Sequence, residues 1–259
     1  GAEDFPIIPK ISNADFIEID GGVLKEALNQ TLIATQFSEL RAEINNILFS
    51  YNLETLVLAG TDSSRLAERT ILPQNIRNKS PQEFKFLLPI RTADICLKSI
   101  QDSETVKVFH DANQILFKTE NVEIISRLSE GTFPDYKKVI PKEFKTEIIL
   151  EKSEFINALK LTGALNSKTS EVRIQSKDKK RLEIFSADES VGENKYILPA
   201  KIQGEMEEMS FNWKYLSDGI RTLAGEEIFF GVNDSVKPAL LKSQTDGSYF
   251  YIVMPLIRV

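Results

Sequence analysis

The chain has 259 residues, of which 42% are hydrophobic and 27% charged, with a formal net charge of −6. That length supports one large domain or two of ordinary size, and the composition is that of a globular protein. The acidic balance argues against nucleic-acid binding through overall charge, though a local basic face stays open. One cysteine excludes an internal disulfide, and one histidine excludes a histidine-based metal cluster.

Residues 3–13 carry two prolines and no period, so they are expected to form a linker or arm. Phe16-Ile-Glu-Ile19 alternates like a half-buried strand. Val23, Leu24, Ala27, Leu28, Thr31, Leu32 and Thr35 then recur at helical spacing. Strands are predicted at Ile47–Phe49, Thr55–Leu58, Arg65–Leu72 and Glu83–Leu88, followed by a helix over Thr92–Ile100. Strands at Val106–Phe109, Ile115–Lys118 and Val122–Leu128 complete this half. Gly131-Thr-Phe-Pro-Asp-Tyr-Lys-Lys-Val-Ile-Pro141 interrupts the pattern with two prolines and a glycine, and is read as a domain junction.

The order then repeats. Thr146–Leu150 is a predicted strand. Phe155, Ile156, Leu159, Leu161 and Leu165 belong to a helix that Ser153 could cap. Strands follow at Val172–Ile174, Leu182–Phe185, Lys195–Leu198 and Met209–Phe211, then a helix over Lys214–Leu223. Strands at Ile228–Phe230, Ala239–Lys242 and Tyr249–Met254 finish the pattern. Ala27-Leu28 matches Ala158-Leu159, Ala59–Ser63 matches Ser186–Glu189, and Phe84–Phe86 matches Met209–Phe211. The offset of about 125–130 residues is that of a duplicated domain, since solenoid units are shorter. The expected fold class is α+β, with two helices per unit packed on mostly antiparallel sheet. Open sheet edges invite pairing with a neighbouring copy, and domains can share one continuous sheet that way.

Catalytic chemistry is poorly provided for. His110 follows Val108-Phe109 at a predicted strand end, where a surface or edge role is expected. Cys96 lies in an apolar helical pattern and is read as a core residue. There is no P-loop, no Gly-x-Gly-x-x-Gly and no nucleophile elbow, and the 38 acidic residues are scattered. The chain is therefore not expected to be an enzyme or to carry a cofactor or metal. No apolar run approaches the ~18 residues of a membrane span and no signal peptide is read, so a cytoplasmic protein without a membrane partner is expected. Tyr249–Met254 is a buried strand in this reading, and Pro255 stops its ladder for want of an N–H. Leu256 and Ile257 then either extend the core or wall an apolar surface groove.

Four segments carry a family resemblance: Ala34–Ser38 with Asn46–Phe49, Thr61-Asp-Ser-Ser-Arg-Leu-Ala67, Gly131–Pro141, and Tyr251-Ile-Val-Met-Pro255. In order and spacing they resemble the bacterial DNA polymerase III beta subunit, the sliding clamp, over residues 3–259. Two departures stand out. Ser63-Ser64 replace the usual Gly-His, and one residue more separates Pro255 from Arg258 than in some members.

The resemblance implies a three-domain protomer. Two such protomers close head-to-tail, as a homodimer ring around duplex DNA. This chain would supply the second domain over residues 1–138 with its N-terminal arm, and the third over 139–259. Alone, it would be competent for peptide binding but not for topological retention on DNA. Its partners would be replicative and translesion polymerases and the clamp loader, through linear peptides held in a groove between the domains. The matching groove positions are Ile44, Thr61, Ser63, Ser64, Arg65, Leu66, Pro134, Lys138, Val139, Pro238, Ile252, Val253, Met254, Pro255, Leu256 and Arg258. Leu66, Val139, Val253, Met254 and Pro255 would form apolar subsites, with Met254 adapting to varied shapes. Arg65 and Arg258 would bond peptide carbonyls or a carboxylate. On the helices expected to face DNA lie Lys25, Arg91, Lys98, Lys152, Lys160, Lys168, Lys214 and Arg221. The alternatives are an oligomeric structural module that uses its sheet edges, or a hydrolase with its cleft between the duplicated domains.

Overall fold

A computed structural model describes residues 11, 15–78, 80–164, 169–188 and 192–257. Apart from Ile11, the predicted arm over 3–13 lies outside them, as do Leu165, Lys168, Glu189 and Arg258. Strand β1 (Phe16–Asp20) leads straight into helix α1 (Gly21–Leu32). Strands β2 (Asn46–Tyr51), β3 (Leu56–Thr61), β4 (Arg65–Ile71) and β5 (Phe84–Pro89) precede α2 (Ile90–Ser99). The first half closes with β6 (Thr105–His110), β7 (Gln114–Lys118) and β8 (Glu123–Arg127). A 3-10 turn at Tyr136–Val139 occupies the junction. The second half comprises β9 (Thr146–Glu151), α3 (Lys152–Gly163), β10 (Glu171–Asp178), β11 (Arg181–Asp188), β12 (Gly192–Pro199), β13 (Lys201–Gln203), β14 (Met209–Asn212), α4 (Trp213–Thr222), β15 (Glu227–Val232), β16 (Ala239–Ser243) and β17 (Tyr249–Val253). The fold is α+β, and the second half repeats the first with β13 inserted. β13 escapes a period-two search because it has three residues.

Among the described residues no helix is long and apolar enough to cross a membrane. The strands form three sheets. Two are four-stranded, in the orders β1-β6-β7-β8 and β12-β11-β10-β14. The third is nine-stranded, β13-β9-β15-β16-β17-β4-β3-β2-β5, and runs through both halves. Its seam is the antiparallel pairing of β17 with β4, from Tyr249 opposite Arg69 to Val253 opposite Arg65. The two halves thus share one continuous sheet. The bonds Thr70 N–H to Ser248 O and Met254 N–H to Ser64 O, both 2.8 Å, continue the seam past each end of the ladder.

Each half has its own apolar core under its helices. Phe49, Leu58, Leu28 and Val106 are fully buried in the first, and Phe155, Phe211, Phe230 and Leu159 in the second. Ala34 and Ala67 of the first half pack into the second core, so the cores meet at the seam. The opposite face of the long sheet is covered by the junction segment. There Phe133 and Tyr136 lie over Leu48, Leu66, Leu87, Leu240 and Ile252. The Tyr136 hydroxyl donates to Glu68, and burial, reinforced by this carboxylate, pushes the Tyr136 phenol well above its ordinary range.

Cys96 is fully buried in α2, and burial raises its thiol to about 12, as suits a core residue. His110, at the end of β6, is half-buried against the rings of Phe84 and Phe86 at 4.5 and 5.8 Å. One local expectation needs correction. Ser153 does not cap α3; Glu151 does, accepting from the backbone N–H groups of Ser153 and Glu154. A carboxylate two residues earlier reaches both donors, and its charge suits the positive end of the helix dipole. Leu161 is 56% exposed, outside the buried set of α3.

Candidate peptide groove and helix face

The strand alternation of β4 and β17 decides where each predicted groove residue points, because successive side chains of a strand face opposite sides. Leu66 and Ile252 are direct cross-strand partners, 3% and 2% exposed, and form the floor on the junction side. Around this floor Val139 is 51% exposed and Leu256 37%, with Met254, Pro134 and Pro238 half-buried. These side chains make an apolar strip between the junction and the strand ends. Lys138 stands at its edge, exposed and paired with Asp135 at 2.7 Å.

Val253 does not join that strip. It is fully buried in the core of the second half, on the other face of the sheet. Pro255 is buried as well. Of the five apolar subsite residues expected, Leu66 lies on the junction side of the sheet beside Ile252, Val139 is exposed, Met254 is half-buried, and Val253 and Pro255 are buried. The segment after β17 crosses toward β14, where Leu256 N–H donates to Ser210 O at 2.8 Å. Ile44 is buried in the 3-10 turn Ala42–Ile44.

The turn between β3 and β4 is built by side chains. Thr61 Oγ1 donates to Arg65 O at 2.7 Å, and Asp62 Oδ1 accepts from the N–H groups of Ser64 and Arg65. Ser63 sits at φ +78°, a left-handed conformation that glycine adopts without strain. This is the first of the two positions where the resemblance expects Gly-His. The Ser63 hydroxyl is used: Arg41 Nη1 donates to it at 2.6 Å, tying loop to turn.

Arg65 faces the helices, away from the strip. Its guanidinium bonds Asp62 at 2.8 Å and Asp218 of α4 at 3.0 Å, and lies 4.0 Å over the ring of Tyr215. With its side chain 10% exposed, Arg65 clasps the two halves together, and a peptide on the strip would not meet it. Arg69 repeats the arrangement further along β4, between Asp246 and Glu26 of α1 at 3.6 Å. Gln30 Nε2 donates to Thr222 O at 3.1 Å, and Tyr249 OH donates to Gln30 O at 3.2 Å. None of these clasps had a local signature, because Arg65 and Asp218 lie 153 residues apart.

The predicted DNA-facing cations divide. Lys25 pairs with Asp102 at 2.6 Å, and Lys98 with Asp94 at 2.5 Å. Lys152 donates to the carbonyls of Arg221 and Leu223 at 3.1 and 2.5 Å, and partial burial lowers its ammonium pKa. Lys25 and Lys152 therefore bind helix ends to neighbouring loops. Arg91, Lys160, Lys214 and Arg221 are exposed on α2, α3 and α4, with no side-chain ion pair among the described residues.

The sequence matches two adjacent family models: the DNA polymerase III beta subunit central domain over residues 18–135, and its C-terminal domain over 137–257. It is 29% identical over 259 residues to the beta sliding clamp of Bacillus subtilis (strain 168), covering 98% of this chain and 68% of the relative. It is 28% identical over 262 residues to that of Staphylococcus aureus (strain N315), covering 98% and 67%. In structure it resembles the Bacillus subtilis DNA polymerase sliding clamp, with a TM-score of 0.94 and 27% identity over 100% of this chain and 68% of the other. The Streptococcus pneumoniae DNA polymerase III beta chain gives 0.93 and 26% over 100% and 69%. Two tandem units with a shared sheet and four helices, matched end to end by consecutive domains of one protein, place this chain in the DNA polymerase III beta subunit family, the sliding clamps.

Proposed function

We propose that the chain binds short linear peptides of polymerases and of the clamp loader on the strip over Leu66 and Ile252, and that its helices face duplex DNA within a closed ring. Sliding clamps are non-enzymatic processivity factors of DNA replication. The two clamp domains in this reading are residues 1–138 and 139–259. The observation that carries the peptide reading is apolar surface left open beside the seam: Val139 at 51% exposure and Leu256 at 37% flank a floor that is already desolvated. Such a surface suits Leu and Phe side chains, each contributing about 1.5–3 kcal/mol on full burial. Met254, unbranched and polarizable, fits a groove that takes several partners. Arg91, Lys160, Lys214 and Arg221 suit loose contact with phosphates, which carry no sequence information and so permit sliding.

Fluorescence anisotropy of a labelled Gln-Leu-Ser-Leu-Phe peptide tests the groove. Saturable binding is expected, weakened about tenfold or more by Met254→Ala, which truncates a buried contact worth about 1.4 kcal/mol. Val139→Asp should abolish it. Absence of binding to the folded chain would overturn the peptide reading.

A further inference from the structure

The strand orders contain a second, unjoined copy of the seam. The nine-stranded sheet is two four-stranded blocks, β9-β15-β16-β17 and β4-β3-β2-β5, joined at β17 and β4, with β13 added at one end. The two smaller sheets are the same two blocks left apart. β1-β6-β7-β8 repeats the first, and β12-β11-β10-β14 repeats the second. β8 is therefore the counterpart of β17, and β12 that of β4. We propose that β8 of one copy of this chain pairs antiparallel with β12 of a second copy, in the register of the seam. The proposal stands without the peptide reading.

These two edges are the ones left open. The backbone of Arg77 and Asn78 covers the outer side of β1, Ser129 bonds β5, and Leu256 bonds β14. The three-residue β13 closes the block that begins at β9. On their outer sides β8 and β12 have no backbone partner among the described residues. A row of unpaired N–H and C=O groups is a template for another strand. The fold already joins one pair of such edges within the chain, at β17 and β4.

The register carries over residue by residue. Across the joined sheet one row runs Ile148, Phe230, Leu241, Tyr251, and its counterpart runs Ile17, Val108, Phe117, Ile124. Ile148 and Ile17 each lie three residues before the end of their strand, which fixes the match. Ile124 thus stands for Tyr251, and Glu123 for Phe250. A second row runs Leu87, Leu48, Ala59, Glu68, and its counterpart runs Ser210, Arg173, Phe185, Lys195. Phe250 faces Glu68 in the seam, so Glu123 of one copy faces Lys195 of the next. Opposite charges directly across a strand pair stabilise it. Within the chain Lys118 pairs with Glu123 at 2.5 Å, and Lys195 with Glu183 at 3.6 Å. The joined face then reads Lys118, Glu123, Lys195, Glu183, alternating in sign across the contact. Charges that merely blunt an edge have no need to match another edge in this way. Each copy offers one edge of each kind, so the contact is head-to-tail and continues past two copies.

Light scattering of the chain as it is, over a concentration series, tests the pairing. The mass should rise with concentration from 29.3 kDa past that of two copies. A mass still at 29.3 kDa at about 1 mM chain, the weak end of measurable association, would overturn the proposal. The register is tested by charge reversal. Glu123 and Lys195 are exposed, so Glu123→Lys and Lys195→Glu should leave the Tm of the monomer nearly unchanged. Each places like charges opposite one another and should weaken association about fivefold or more. An equimolar mixture of the two single variants should restore it, because each reversed edge then meets the other variant's reversed edge. The double variant should restore it too. Association untouched by either reversal, or lost in both and not restored by mixing, would assign the contact to another surface and overturn the pairing.

Discussion

The two halves join the same elements by different chemistry. In each, the first helix starts against the loop that follows the second helix, and a backbone bond of 2.7 Å recurs in both: Gly21 N–H to Glu104 O, and Lys152 N–H to Glu226 O. In the first half that loop, residues 100–104, is one residue longer than its counterpart at 223–226. It crowds α1, and a Cβ at Gly21 would stand 2.2 Å from Gln101 O. Only glycine fits. In the second half the shorter loop leaves room for Lys152, whose ammonium bonds the carbonyls at the end of α4. The first half accepts no side-chain cap on α1, while Glu151 caps α3. A duplicated fold can therefore keep its backbone contacts after the residues that make them have diverged.

The sharpest way to break this comparison is to exchange the two solutions. Gly21→Lys places the second half's residue in the first half's crowded site. It should destabilise by about 3 kcal/mol, with a fall in Tm of roughly 6–12 °C in a thermal scan. An unchanged Tm would mean that the loop yields freely. Lys152→Met keeps the stem and removes the charge, leaving the carbonyls of Arg221 and Leu223 without that donor. A loss of about 2 kcal/mol is expected from urea unfolding. Glu151→Ala removes the α3 cap and should cost about 1 kcal/mol, the usual value of a cap. The matching Asp20→Ala on α1 should cost less, as Asp20 makes no cap bond.

The smallest effect depends on pH. His110 closes β6 where the second half has Val232 closing β15. Burial holds the imidazole below its ordinary 6.5, so the folded chain prefers it neutral. The stability this confers is present above pH 6.5 and is lost as pH falls through that value, because the unfolded chain then binds the proton more readily. Since His110 is the only histidine, urea midpoints at pH 7.5 and about 5.5 should differ in the native chain. The difference should shrink in His110→Val. An identical difference in both would assign it to carboxylates.

Much of this architecture was legible in the chain because periodicity reports burial directly. Ala27-Leu28 and Ala158-Leu159 stood out as a repeat, and all four are fully buried in α1 and α3. Phe84–Phe86 and Met209–Phe211 fall on β5 and β14, matching strands of the two halves. The groove was legible only as a segment. A run such as Tyr249–Val253, apolar on both faces, does not say which residues look outward, and Val253 was placed on the wrong side for that reason. The clasps of Arg65 and Arg69 were invisible because charge complementarity across the seam leaves no trace in either strand alone.

The seam also has a mechanical consequence. Two domains joined by a linker are separated by an entropic spring, soft at small extension. Here β17 and β4 are stitched by backbone hydrogen bonds in the middle of a nine-stranded sheet, so the chain has no hinge between its halves at this point. Opening them means breaking a ladder, and the amides of Tyr251 and Val253 should exchange with solvent no faster than those of the cores. A partner that tugs on the strip beside Met254 therefore pulls against a stiff arc, and the load passes into the cores of both halves together.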